Sequence, residues 1–250
     1  MIKFFRKIRQ QSLTENKFSK YLLYAIGEVI LVVIGILIAL QINNWNNDLE
    51  NKKIEQNIIQ NLNLEFKQNK ESLQVAIDFL KPRLNCARDL MKLMGEPKHV
   101  LNKLNLDSLI ALSIDYKEYV PSKVVYTDLI SSGRLNIISS DLRLLLFDWS
   151  IALEGIKEAF KTADEISQTL IIPYLIKNAS MKNIDSYTFI EWKEKSKLST
   201  NYYKMFQDLE FENIIENQIW DITNYIMTLE NLKKSTDKVI NKTNKQLRLN

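Results

Sequence analysis

One uninterrupted apolar segment lies near the start of the chain. Residues 22–42 read LLYAIGEVILVVIGILIALQI, with a single formal charge at Glu28 and a single side-chain amide at Gln41. At about 1.5 Å per residue, a helix of this length would be roughly 31 Å long, close to the thickness of a bilayer's hydrocarbon core. The segment predicts a transmembrane helix. The alternatives are a buried core helix, which is rarely apolar on every face for this length, and a signal peptide, whose small-residue cleavage site does not follow here.

Amphipathic patterns of helical period follow the apolar segment. Apolar residues recur at steps of three, four or seven from Ile54 to Leu84, which predicts a helix that continues from the first segment. Pro82 predicts a kink or a restart of this helix, and Gly95-Glu96-Pro97 predicts its end.

Two further long helices are predicted in the rest of the chain. One starts at the cap Ser139-Ser140-Asp141 and reaches about Lys177, and the other covers about 204–245. Ser186 predicts a short helix over 187–195 between them. Because each helix has one apolar stripe to bury, we expect an all-α fold: one N-terminal transmembrane helix followed by an antiparallel helical bundle with long helices. The five glycines and four prolines of the chain supply too few turns for an all-β fold.

Basic charge is concentrated before the apolar segment. Residues 1–21 carry six Lys or Arg and one Glu, whereas the segment is followed by asparagines and acidic residues up to Lys52. Positively charged flanks stay on the cytoplasmic face. We therefore expect a basic cytoplasmic leader over 1–21, the transmembrane helix over 22–42, and an exported helical domain over 43–250. Apolar residues of the leader at Phe4, Phe5 and Ile8 would let it lie on anionic lipid; the alternative is an unstructured leader.

Three segments of the sequence resemble a known family. Residues 4–9 read FFRKIR, residues 27–45 follow the pattern GExxLVVIGILIALQINNW, and residues 129–138 read LISSGRLNII. These segments closely resemble an uncharacterised family of bacterial single-span membrane proteins, described by a domain of unknown function. The resemblance implies a single-pass protein of the bacterial inner membrane with a periplasmic domain. It implies no biochemical activity.

Three residues of the predicted span are candidates for contact with another helix. Glu28 is the only ionisable group of the span, and the small residues Gly35 and Ala39 fall on the same helical face. A charge within hydrocarbon costs about 2.5–3.5 kcal/mol and is tolerated when it faces protein or water. We therefore expect, besides the lipid bilayer, a protein partner or self-association through this helix. The alternative is that Glu28 reaches the cytoplasmic interface and has no role.

The remaining sequence gives little indication of a catalytic, metal-binding or nucleic-acid-binding site. Cys86 and His99 are the only residues of their types, which excludes a Cys/His zinc site, and their separation implies no nucleophile pair. We predict no catalytic, metal or cofactor-binding residue, no cofactor and no enzymatic activity. Nucleic-acid binding is not expected either, because neither the basic leader nor the basic C-terminal cluster over 233–248 interleaves basic and aromatic residues on one folded face. The turn at Ser131, Ser132 and Gly133 is expected to end a helix, with partner binding at this turn as the alternative.

These features favour a membrane-anchored helical interaction, scaffold or sensor protein of unknown biochemical activity. The alternative is an accessory subunit of a proton-coupled membrane complex that uses Glu28.

Reporter domains fused after Asn47 test the predicted orientation. Alkaline phosphatase requires disulfides that form only outside the cytoplasm, so we expect this fusion to be active. A fluorescent reporter that folds only in the cytoplasm should be dark at the same position. The reverse pair of results would contradict the orientation.

Overall fold

The computed structural model describes residues 18–190 and 192–249, and these residues are 81% helical and contain no strand. The all-α fold class is therefore confirmed. The predicted leader segment 4–9, with Phe4, Phe5 and Ile8, lies outside the described residues. In chain order the α-helices are α1 (Phe18–Lys92), α2 (Lys98–Leu101), α3 (Leu106–Ile114), α4 (Val124–Ser131), α5 (Ser140–Ile166), α6 (Ile172–Asn178), α7 (Met181–Asp185), α8 (Tyr202–Met205) and α9 (Leu209–Leu249). A 3-10 turn covers Arg134–Asn136, and a π-helical turn covers Ser167–Ile171.

The chain divides into two compact units, Met1–Gln56 and Asn57–Asn250, and α1 contributes residues to both. The first unit contains the apolar part of α1. The side chains from Leu22 to Glu50 are exposed, apart from the partly buried Ala25 and Gly27. This helix is long and apolar enough to cross a membrane. The predicted boundaries at residues 21 and 42 remain predictions.

The second unit is a bundle in which α9 runs antiparallel to both α1 and α5. Along α1 and α9, Lys70 pairs with Asp237 at 2.6 Å, and Lys81 pairs with Glu230 at 3.8 Å. Between α5 and α9, Lys242 lies 2.6 Å from Asp141. From Lys70 to Lys81 along α1, the partner on α9 moves back from Asp237 to Glu230. From Asp141 to Trp149 along α5, the partner on α9 likewise moves back from Lys242 to Thr236. These contacts thus show that the helices are antiparallel, although each exposed ion pair contributes at most about 1 kcal/mol to stability.

Trp149 of α5 is the centre of the larger core cluster. Its ring centroid lies 4.9 Å from that of Phe66 on α1 and 5.4 Å from that of Tyr126 on α4. The indole N–H donates to the Thr236 hydroxyl on α9 at 3.1 Å, so the one polar atom of this fully buried side chain is satisfied. One side chain therefore joins four helices.

A second core cluster joins the end of α1 to the start of α9. Phe211 stacks on Tyr174 at 5.4 Å and meets Phe206 edge to face at 5.3 Å. Gly95, at φ 76°, ends the turn after α1, and its N–H donates to the Phe206 carbonyl at 2.8 Å. Glycine adopts this left-handed conformation without the steric cost that a side chain would add.

Pro82 does not restart α1. The helix is continuous from Phe18 to Lys92, with Pro82 inside it. Pro82 cannot donate to the carbonyl of Asp78, but both residues are exposed, so water can satisfy that carbonyl. Of the two predicted effects of Pro82, a kink or a restart, the restart therefore does not occur.

The second predicted helix is present, with a π-helical turn near its end. Ser139 caps α5, and its hydroxyl accepts from the Leu142 N–H at 3.4 Å. The π-helical turn Ser167–Ile171 then connects α5 to α6, which contains Pro173 near its start. The last long helix starts at Leu209, a few residues later than predicted, after the separate short helix α8.

The predicted helix over 187–195 is wrong. The short helix in this region is α7, capped by Ser180, whose hydroxyl accepts from the Asn183 N–H at 3.4 Å. Residues 187–190 continue into a turn, and 192–201 are irregular. Ser186 instead donates its hydroxyl to the Lys182 carbonyl at 2.8 Å, so it serves the end of α7 and not the start of another helix.

A buried carboxylate fixes α4 to α1. Glu65 is 5% exposed, and it accepts from the Ser122 hydroxyl at 2.6 Å and from the backbone N–H groups of Val125 and Tyr126 at 3.2 Å each. Those two N–H groups belong to the first turn of α4, where a helix has no internal acceptors for them. Glu65 therefore acts as an N-cap supplied by another helix, with its negative charge at the positive end of the α4 dipole.

Asn69, one turn later on α1, holds the chain just before α4. Its side chain donates to the Ser122 carbonyl and accepts from the Ser122 N–H, both at 2.9 Å. The preceding segment is held from α9, because the Tyr225 hydroxyl accepts from the Tyr119 N–H at 2.8 Å. We call Glu65 and Asn69 the α1 clamp.

Replacing Glu65 tests the α1 clamp. Glu65→Ala leaves two helix N–H groups and one hydroxyl without their acceptor, which should lower the free energy of unfolding by about 2–4 kcal/mol. Glu65→Gln keeps the shape but loses the charge and should cost less. The measurement is denaturant unfolding of the full chain in mild detergent, followed by circular dichroism. As control, Glu71→Ala at an exposed position of α1 should change stability by less than about 0.5 kcal/mol; equal losses from both alanine variants would contradict the clamp.

Candidate functional site

The candidate contact face of the first unit contains Glu28, Gly35 and Ala39. All three lie within the continuous helix α1, so their spacing of seven and four residues puts them on one face. Glu28 and Ala39 are exposed, and a methyl group added at Gly35 would meet no atom within 4 Å apart from its chain neighbours and the adjacent backbone of its own helix. The face is therefore open to a lipid or to another helix along its whole length. Their predicted role in helix contact remains a prediction.

The turn Ser131, Ser132 and Gly133 lies on the surface of the second unit. The Ser132 N–H donates to the Asp128 carbonyl at 2.9 Å, and the Gly133 N–H donates to the Ile130 carbonyl at 3.1 Å. Gly133 has φ 69°, so it ends α4 in the left-handed conformation that glycine favours. All three residues are exposed. The turn therefore ends a helix, as expected, and also presents an accessible surface.

The α1 clamp fixes the position of this turn. Glu65 and Asn69 hold the start of α4, and the turn lies at its other end, two helical turns away. Sequence reasoning missed Glu65. The sequence did contain a signal for it. Glu65 follows Leu62 by three residues and adjoins Phe66, so it lies on the face of α1 that carries the buried apolar stripe. A charged residue on that side must be paired or capped.

Cys86 and His99 do not form a site. Cys86 is partly buried on α1, and burial raises the pKa of its thiol, so it is a poor nucleophile at neutral pH. His99 is exposed on the short helix α2. Within the ranges 18–190 and 192–249, no group of three or more His, Cys, Asp or Glu could hold a metal ion.

The second unit contains two tyrosine–aspartate pairs. Both lie at the end of this unit where the smaller core cluster is found. The Tyr202 hydroxyl donates to Asp107, which is 8% exposed, and Lys195 Nζ lies 3.6 Å from the other carboxylate oxygen. The Tyr174 hydroxyl donates to Asp208 at 2.8 Å. Burial and then the neighbouring carboxylate raise the pKa of both phenols, so both remain protonated donors. These pairs join segments that are far apart in sequence, so no local sequence pattern predicts them.

Each pair borders an open polar cleft. Tyr174 and Asp208 line a cleft of about 330 Å³ together with Lys177 and Lys204. Asp107 and Tyr202 line a larger cleft of about 760 Å³. The irregular residues Thr200 and Asn201 border both clefts.

Part of the chain matches the model of a known family. Residues 28–150 match the model of a family of unknown function (DUF6090). The resemblance to an uncharacterised family is thereby confirmed. The match begins at Glu28 and ends within α5, so it includes Gly35, Ala39, the α1 clamp and the Ser131–Gly133 turn. No curated protein and no solved structure matches the chain.

The shared region therefore combines one helix that is apolar enough to cross a membrane with the start of a helical bundle. The larger polar cleft is partly within this region, and the smaller one lies wholly outside it. Residues 98–107 lie inside the match, whereas 174–208 lie beyond its end.

Substitution of Gly35 tests the contact face in the membrane. Gly35→Leu fills the space that close helix approach requires, and should weaken self-association or partner capture by about 1 kcal/mol, or about fivefold. Disulfide crosslinking between single cysteines in a Cys86→Ser background measures this. Val33→Leu, on the opposite face, is the matched control and should have no effect. Equal crosslinking along both faces would contradict the contact.

Proposed function

We propose that this chain is a membrane-anchored interaction protein, in which a single N-terminal span holds a helical scaffold or sensor unit at the bacterial inner membrane. The role we propose is binding and not catalysis. The observation that carries the proposal is the contrast between the two units. One has apolar side chains exposed along a helix of membrane-spanning length, and the other buries its apolar stripes in its own core.

The orientation we propose places the N-terminus in the cytoplasm and the helical unit in the periplasm. Its support is the charge distribution, with six basic residues before the span and none in the nine residues 43–51 after it. Because the second unit has a core of its own, it can meet partners in water while the span remains in lipid.

The surface that we propose for a protein partner is the Ser131–Gly133 turn. It is exposed, it lies within the family match, and the α1 clamp holds α4 in place. A rigidly held turn loses little conformational entropy on binding, which favours recognition. Ile130, which is 46% exposed, adds an apolar side chain beside the two hydroxyl groups.

A second candidate is an accessory subunit of a proton-coupled membrane complex. The observation that favours it is Glu28, an exposed carboxyl group within the apolar part of α1. Ionisable groups at such positions commonly face a partner or a water-filled cavity and take part in proton or ion transfer. In this case Glu28 would exchange protons against groups of a multi-span partner.

Photocrosslinking in living cells tests the proposed function. A photoreactive residue is placed at Ser132 in the turn or, as control, at Glu71 on an exposed part of α1. An interaction protein should give a discrete adduct at Ser132 and none at Glu71. Absence of any adduct at Ser132 would contradict the proposed surface.

Glu28→Gln distinguishes the two candidates because glutamine keeps the size and hydrogen bonding but cannot ionise. For a scaffold, the Ser132 adduct and complementation of a deletion strain should both be unchanged. For a proton-coupled subunit, the adduct should persist while complementation is lost.

A further inference from the structure

The larger polar cleft is the candidate ligand site. It lies between the chain segments 98–107 and 195–203, and its volume of about 760 Å³ falls within the range of small-molecule sites, about 300–1,000 Å³. A single inorganic ion would occupy a small part of such a space. The cleft therefore suits an organic ligand with several functional groups.

Three lysines and one aspartate supply the charge of the cleft. Lys98, Lys103 and Lys195 line it together with Asp107. Asp107 already accepts from Tyr202 and lies 3.6 Å from Lys195, so its charge is matched within the protein. Lys98 and Lys103 are exposed and form no ion pair with any residue among those that the structure describes. Two positive charges therefore remain for a ligand.

Neutral polar groups make up much of the remaining lining. They are the side chains of Asn102, Asn105, Thr200, Asn201, Tyr202 and Tyr203. Two of them are already oriented, because Asn105 donates to the Tyr187 hydroxyl at 2.7 Å and Asn201 accepts from the Lys204 N–H at 3.2 Å. Amide and hydroxyl groups both donate and accept hydrogen bonds, as the hydroxyl groups of a sugar require. Tyr203, at 42% exposure, adds an aromatic ring against which a sugar can pack.

We propose that this cleft binds an anionic saccharide, a hydroxylated ligand that carries carboxylate or phosphate groups. Lys98 and Lys103 contact its anionic groups, and the amides and Tyr203 contact its sugar hydroxyls and ring. The inference rests on the proposed function in one respect, because it names a ligand for the second unit, to which we assign a binding role. The binding test below uses none of the residues of the crosslinking test, so either can fail while the other succeeds.

Isothermal titration calorimetry of the full chain tests this site. The protein is kept in a polyoxyethylene detergent, because a maltoside detergent would itself present a sugar. The probes are trigalacturonate for carboxylates, glucose 1,6-bisphosphate for phosphates, neutral maltotriose, and citrate as an anion without a sugar ring. We expect at least one of the two anionic sugars to bind more tightly than citrate, with an affinity that falls as salt is raised. Maltotriose should not bind. The comparison of the two anionic sugars distinguishes carboxylate from phosphate recognition.

A pair of matched variants locates the binding. Lys98→Gln with Lys103→Gln should weaken binding of the anionic sugar at least tenfold. Lys67→Gln with Lys161→Gln removes the same charge from exposed positions outside the cleft and should change binding less than twofold. Both pairs are at exposed positions, and circular dichroism should show unchanged helix content. Binding of neither anionic sugar, citrate binding as tightly as both, or equal losses in the two variant pairs would each overturn the proposal.

Discussion

The exposed apolar surface of α1 is the constraint on which the rest of this structure depends. Between Leu22 and Ile42 every residue except the partly buried Ala25 and Gly27 is exposed, and transfer of apolar surface out of water is worth about 25 cal/mol per Å². Such a surface needs lipid or protein around it. The hydrogen bonds of the backbone must also be satisfied within the segment, and a helix does this without any partner strand. One continuous helix therefore meets both requirements.

In the second unit, by contrast, the apolar stripes of the helices must be buried against one another. The antiparallel arrangement of α9 with α1 and α5 achieves this around Trp149, which is fully buried. The short segments between α1 and α5 bury apolar residues such as Ile110 and Leu129 in the two core clusters. Buried polar contacts also hold these segments, through the α1 clamp and through Tyr225, whose pKa burial raises to about 12. Since these groups are desolvated, loss of one partner leaves the other unsatisfied, which makes such contacts specific.

Much of this architecture follows from hydrophobic periodicity. The apolar N-terminal helix and the three long helices were predictable because each is a long segment with a continuous apolar pattern, and the cap Ser139 marked one of the starts. Local signals were less reliable for short elements. Ser186 resembles a cap but serves the end of α7, and Pro82 is accommodated because the carbonyl that it leaves unpaired is exposed. In both places tertiary context overrides the local preference.

The candidate sites were predictable only where they depend on local sequence. Gly133 was recognisable as a helix end because its conformation is a local property. The contacts of Glu65 with α4 and of Asp107 with Tyr202 join residues more than fifty positions apart, and no spacing rule links them. The larger cleft is likewise assembled from segments that lie about ninety residues apart.

Alkaline extraction of membranes from cells that express the full chain tests the central claim most directly. This treatment releases peripheral proteins but leaves spanning helices in the lipid. We predict that the full chain stays in the membrane pellet, and that a chain without residues 22–42 is recovered in the soluble fraction with its helix content retained. Recovery of the full chain in the soluble fraction would contradict the account.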